Sequence, residues 1–134
     1  LQAITNKNTI SADTEARILK KLVAFEKSQK YLKKDLTISS LAAQLNTNTK
    51  YLSEVIKNNT SQNFNHYINN LRINYIVHKL YNEPKYREYK ISYLAEECGF
   101  ASSQVFVIAF KKINGLTPSY FIQNLKEDKV NIPV

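Results

Sequence analysis

Two stretches of this chain carry the same apolar frame. Ile38, Leu41, Ala42 and Leu45 recur, about 53 residues later, as Ile91, Leu94, Ala95 and Cys98; Leu52 and Ile56 recur as Phe106 and Phe110. Spacings of three, one and three put the first group on one stripe of a short helix, and the second group repeats helical spacing on the helix that follows. A frame duplicated in this way restricts the chain to two copies of one small unit. Each copy reads as short helix, turn, second helix, and the later copy is one residue longer in its turn.

Capping and breaking residues punctuate the rest. Ser11, followed by Asp13 and Glu15, predicts a lead helix running to about Gln29 that buries Ile18, Leu19, Leu22, Val23 and Phe25. A basic connector, KYLKKD, follows. The first copy spans a helix over 37–45, a polar break at Asn46-Thr47-Asn48 and a helix over 49–58. Asn63 caps a long helix from Phe64 to about Tyr81, with Phe64, Tyr67, Ile68, Leu71, Tyr75, Val77, His78 and Leu80 spread over more than one face. At 1.5 Å per residue it is roughly 27 Å long, close to the ~34 Å between successive major-groove faces of B-DNA. Asn82-Glu83-Pro84 ends it. In the second copy Gly99 and Gly115, the only glycines, stand where helices should stop. Ser102 or Ser103 caps the second helix, Lys111 and Lys112 suit its negative end, and Thr117-Pro118 opens a closing helix over 118–125. No segment alternates like a strand.

The expected fold is therefore all-α: seven helices, with two helix-turn-helix subdomains joined by a long central helix. In domain terms this is a flexible lead-in at 1–10, subdomain one at about 11–63, a linker helix at 64–81, subdomain two at about 85–125, and a tail at 126–134. The length, 134 residues, suits one compact unit or two very small ones sharing a connector.

A helix-turn-helix lays its second helix in a DNA major groove, with one face on the core and the other toward bases and phosphates. The outward set of the first reading helix is Thr49, Lys50, Ser53, Glu54 and Lys57, with Tyr51 at the margin. That of the second is Ser102, Ser103, Gln104, Val107, Ile108 and Lys111. Lys57 and Lys111 suit phosphate, Lys50 a phosphate or a guanine edge, and Gln104 a two-point pair with adenine. Ser39, Ser92, Thr117 and Ser119 are further phosphate-contact candidates near helix starts. Nineteen basic against eleven acidic residues leave a formal charge of +8, which fits a polyanion partner.

The second copy also resembles a known family. Leu94-Ala95, Gly99-Phe100, Phe106, Phe110-Lys111-Lys112, Gly115 and Thr117-Pro118 are similar, in order and spacing, to the C-terminal signature of AraC/XylS-type bacterial transcription regulators. The resemblance covers roughly residues 12–125 and implies the same architecture. It also implies promoter-region double-stranded DNA as partner, an upstream sensor or dimerisation domain not in this chain, and RNA polymerase as a candidate contact. Many relatives carry arginine at the positions of Glu54 and Ile108, where it reads guanine. Here Glu54 can accept from cytosine N4, and Ile108 or Val107 can press on a thymine methyl. Ser61 stands where relatives commonly have glycine, and Ile122 near a position that is often arginine.

The same departures, with Val105, motivate a rival reading: a helical protein-interaction module, derived from such a domain, that no longer reads bases directly. Chemistry finds little support. His66 and His78 lie twelve residues apart on one helix, so no metal site or cofactor is expected. Cys98 fills an apolar helix position, and Glu96-Glu97 face apart, so no enzyme is expected either. One cysteine and no apolar run near the ~18 residues of a membrane span fit a cytoplasmic, nucleoid-associated chain without membrane contact of its own. A start at Leu1 with no methionine anywhere reads as a piece of something longer, whose missing upstream part could tether it to a membrane.

Overall fold

The computed structural model describes residues 10–131. Among them are seven α-helices: α1 (Ala12–Ser28), α2 (Ile38–Gln44), α3 (Thr49–Thr60), α4 (Phe64–Asn82), α5 (Ile91–Glu97), α6 (Ser103–Asn114) and α7 (Pro118–Asn131). Short 3-10 turns occupy Lys30–Leu32 and Pro84–Glu88. Contacts divide the chain into two units. The first takes residues up to Tyr31 and Asp35–Ile68; the second takes Leu32–Lys34 and everything from Asn69 onward. Residues 1–9 of the expected lead-in lie outside the described part, and Ile10, its last residue, is buried rather than loose.

In the first unit, α1 starts where Ser11 accepts a hydrogen bond from the Thr14 amide at 3.1 Å. It ends at Gln29, whose φ of 61° is left-handed. Ile18, Leu22 and Phe25 are buried, but Val23, expected inside, is 52% exposed. It follows Leu22 by a single residue, a rotation of about 100°, which carries it past the edge of the buried stripe. Thr37 and Ser40 cap α2 reciprocally, each side chain accepting from the other's backbone amide at 3.0 Å. Both α1 and α2 pack on α3, whose Leu52, Val55 and Ile56 are fully buried. Tyr67, in the first turn of α4, donates to a Glu26 carboxylate oxygen at 2.6 Å.

The helix α4 begins where Asn63 accepts from the His66 amide at 2.9 Å and continues one residue beyond the expected end, to Asn82. Its residues 64–68 belong to the first unit and the remainder to the second. The periodic reading passed over Ile73 and Ile76, which are fully buried, and included His78, which is exposed.

The second unit has an aromatic core. Phe100, Phe106, Phe110 and Phe121 form a chain of ring contacts with successive centroids 5.5, 5.8 and 5.4 Å apart. Around it lie Ile73, Ile76, Leu80, Leu94, Cys98 and Ile122. Arg72 is only 8% exposed; its guanidinium donates to the Lys33 carbonyl at 2.6 Å and lies 5.7 Å from the Phe100 ring centre. Gly99, at φ 92°, sits against this point, and a Cβ there would fall 2.7 Å from the Leu32 carbonyl oxygen. The closing helix overruns the expected 118–125 and carries the expected tail as helix to Asn131. The run NLKEDKVN contains no breaker, Gln123 bonds Glu127 one turn on, and Lys126 pairs with Glu88 at 3.3 Å.

Candidate nucleic-acid interface

Both copies build their turn with the same two bonds. In the first, the Asn46 amide donates to the Ala43 carbonyl at 3.1 Å and the Thr47 amide to Ala42 at 2.9 Å. In the second, Gly99 donates to Glu96 at 3.1 Å and Phe100 to Ala95 at 2.9 Å. This is a Schellman closure, which needs a left-handed residue at the helix end; Asn46 (φ 57°) and Gly99 supply it. The reading helices then start from equivalent caps. Asn48 accepts from the Tyr51 amide at 2.8 Å, and Ser102 accepts from the Val105 amide at 3.2 Å. They also stop alike, at left-handed Ser61 (φ 59°) and Gly115 (φ 81°).

On α3, burial of Leu52, Val55 and Ile56 leaves Thr49, Lys50, Ser53 and Lys57 exposed. Tyr51 is 37% exposed, at the margin, and Glu54 is half-buried. Lys50, Ser53 and Lys57 follow one another at i, i+3 and i+7, a single outward stripe. On α6, Phe106, Ala109 and Phe110 are buried, and Gln104, Ile108 and Lys111 form an outward stripe at i, i+4 and i+7. Val107, expected to face outward, is half-buried against the aromatic core; it stands three residues before Phe110, within reach of the buried face. Its place at the surface is taken by Val105, 50% exposed, three residues before Ile108, which is 68% exposed. The three-residue spacing to Ile108 was the available signal for Val105.

Among the described residues, no ion pair occupies Lys50, Lys57 or Lys111; close pairs elsewhere include Lys34–Glu96, Lys79–Glu83 and Lys126–Glu88. Ser102 and Thr117 are engaged as caps, Thr117 accepting from the Tyr120 amide at 3.3 Å. Ser103 is half-buried, whereas Ser39, Ser92 and Ser119 are exposed. Cys98 is fully buried, and burial pushes its thiol up to about 12, so it is uncharged at neutral pH. Among the described residues no group of three His, Cys, Asp or Glu side chains is placed to hold a metal ion, and no helix is long and apolar enough to cross a membrane.

A profile of the helix-turn-helix domain family matches residues 41–124. The chain is 33% identical over 75 residues to the transcriptional regulatory protein YesN of Bacillus subtilis (strain 168), covering 55% of this chain and 20% of that protein. Over 98 residues it is 30% identical to the HTH-type transcriptional regulator AdiY of Escherichia coli (strain K12), covering 72% of this chain and 36% of that one. It thus spans well under half the length of these curated relatives. Among solved structures, the C-terminal domain of AraT, a response regulator from Geobacillus stearothermophilus, superposes with a TM-score of 0.68 at 27% identity, over 81% of this chain and 84% of that one. The DNA-binding domain of the global transcriptional factor AdpA, solved with a target DNA, shares the fold at a TM-score of 0.71 and 17% identity, over 85% and 97% of the two chains.

Proposed function

We propose, since the chain belongs to the AraC-type helix-turn-helix family, that it is the sequence-specific double-stranded DNA-binding part of a bacterial transcription regulator. Its helices α3 and α6 enter adjacent major grooves of promoter DNA. The supporting observation is a pair of outward faces, Lys50–Ser53–Lys57 with Glu54 beside it and Gln104–Ile108–Lys111, on helices whose opposite faces are buried; Lys50 corresponds to Gln104, Glu54 to Ile108 and Lys57 to Lys111. Lys57 and Lys111 bind phosphate, which positions the chain, while Lys50, Ser53, Glu54, Gln104 and Ile108 meet base edges, which gives specificity. Thr49, Tyr51 and Ser103 line the margins, and the exposed Ser39, Ser92 and Ser119 are hydroxyl donors for the backbone. The alternative of a protein-interaction module is not favoured, because the family match and the named roles of the relatives point to DNA.

In the whole protein, a sensor or dimerisation segment precedes this part, and RNA polymerase is a further partner. A DNA partner places the protein in the cytoplasm, at the nucleoid. Fluorescence anisotropy with labelled duplexes at several salt concentrations tests the central reading. Affinity should fall steeply with salt, with a log–log slope of about −0.9 for each phosphate neutralised. Lys57→Ala and Lys111→Ala should each weaken binding to all sequences and flatten that slope by about one. A salt-independent response would contradict the proposal.

A further inference from the structure

The middle of the second reading stripe is a hydrocarbon. Ile108 lies between Gln104 and Lys111 and is 68% exposed, and Val105 beside it is 50% exposed. Both belong to a helix whose other side, Phe106, Ala109 and Phe110, already fills the core. Neither is needed there, and the equivalent places on α3 hold Glu54 and Tyr51, each with a polar group. A side chain with no donor or acceptor cannot read the hydrogen-bonding pattern of a base edge. In the major groove the apolar mark it can select is the C5-methyl group of thymine.

We propose that Ile108, flanked by Val105, is a specificity-determining contact that selects thymine methyl groups in the half-site under α6. Resting on the DNA-binding reading above, this makes the complete binding site chemically asymmetric: its α3 half is read by polar and charged groups, its α6 half partly by methyl contact. The site therefore has a direction, and the chain binds it in one orientation. Burying a methyl group against an apolar side chain is worth roughly fourfold in affinity.

The test begins with selection of bound duplexes from a random pool, using the chain and its Ile108→Ala variant. Positions whose thymine preference disappears in the variant mark the α6 half-site. Thymine is then replaced by uracil at those positions, which removes only the C5-methyl group. The expected result is a loss of about fourfold per methyl for the parent chain and little or none for Ile108→Ala. Uracil placed in the α3 half-site should leave the affinity unchanged. With cytosine as the starting base, 5-methylcytosine at the same positions should recover part of the lost affinity. Because Ile108 is mostly exposed, the variant should keep the parent's thermal unfolding midpoint, which separates recognition from folding.

Salt-dependent DNA binding with no uracil penalty would overturn the methyl contact and leave the DNA-binding reading standing. So would an uracil penalty that Ile108→Ala retains. If Ile108→Ala binds its DNA as the parent does, the apolar pair belongs to a protein partner and the assignment fails. Absence of salt-dependent binding to any duplex would sink both readings together.

Discussion

The two helix-turn-helix copies share the bonds that close their turns and differ in the residues that make them. At both left-handed positions the first copy uses a residue with a side chain, Asn46 and Ser61, where the second uses Gly99 and Gly115. The first copy's core is aliphatic around Leu41, Leu52, Val55 and Ile56, while the second is built on phenylalanine rings. The outward faces differ in their middles: serine and glutamate lie between Lys50 and Lys57 in one, isoleucine between Gln104 and Lys111 in the other. A duplicated backbone can thus be kept while its turn residues, filling and reading face all change.

The hinges offer the sharpest way to break the comparison. Gly99 is tied to its place twice, by its φ and by the Leu32 carbonyl where a Cβ would sit, whereas Asn46 already carries a side chain. Gly99→Ala should cost about 3 kcal/mol or more, and Asn46→Ala only about 1 kcal/mol, read as shifts of the urea unfolding midpoint. Equal losses would mean that the contact at Leu32 gives way easily. On the reading faces, Gln104→Ala should cost about 1–3 kcal/mol on a selected site and little on random duplex. Lys50→Ala compared in the same titration shows whether the first helix reads a base or only a phosphate. The smallest effects belong to the outer caps. Gly115 has open space around it, so Gly115→Ala meets only the left-handed penalty, about 1 kcal/mol. Ser61→Gly should gain roughly 0.5–1 kcal/mol, since it relieves the same penalty at the matching position. Thermal melts of the two variants should move in opposite directions.

Much of the frame was legible because it is local. The caps at Ser11, Asn63 and Ser102, the stops at Gly99 and Gly115, and the buried stripe of each short helix all follow from neighbours within one or two turns. What escaped depends on distant parts of the chain. Arg72 reads as a surface residue, and its burial rests on a carbonyl 39 residues away that no periodicity reveals. Ile73 and Ile76 were missed because α4 joins one unit's core through residues 64–68 and the other's thereafter, so no single stripe runs its length. On α6, Phe106 reads as inward, as it is, but Val107 reads as outward, because helical spacing alone does not separate Val105 and Val107 on the two sides of Phe106. Val107 is half-buried against the ring cluster, three residues before Phe110, while Val105 stays exposed.

The chain's single thiol has a practical consequence. Cys98 is sealed inside the second unit and protonated, so an alkylating reagent can reach it only when that unit opens. Its rate of labelling is a clock for that opening, with no engineered reporter and no competing cysteine. The rate should slow when DNA is bound, because a ligand held by the closed form makes each opening rarer.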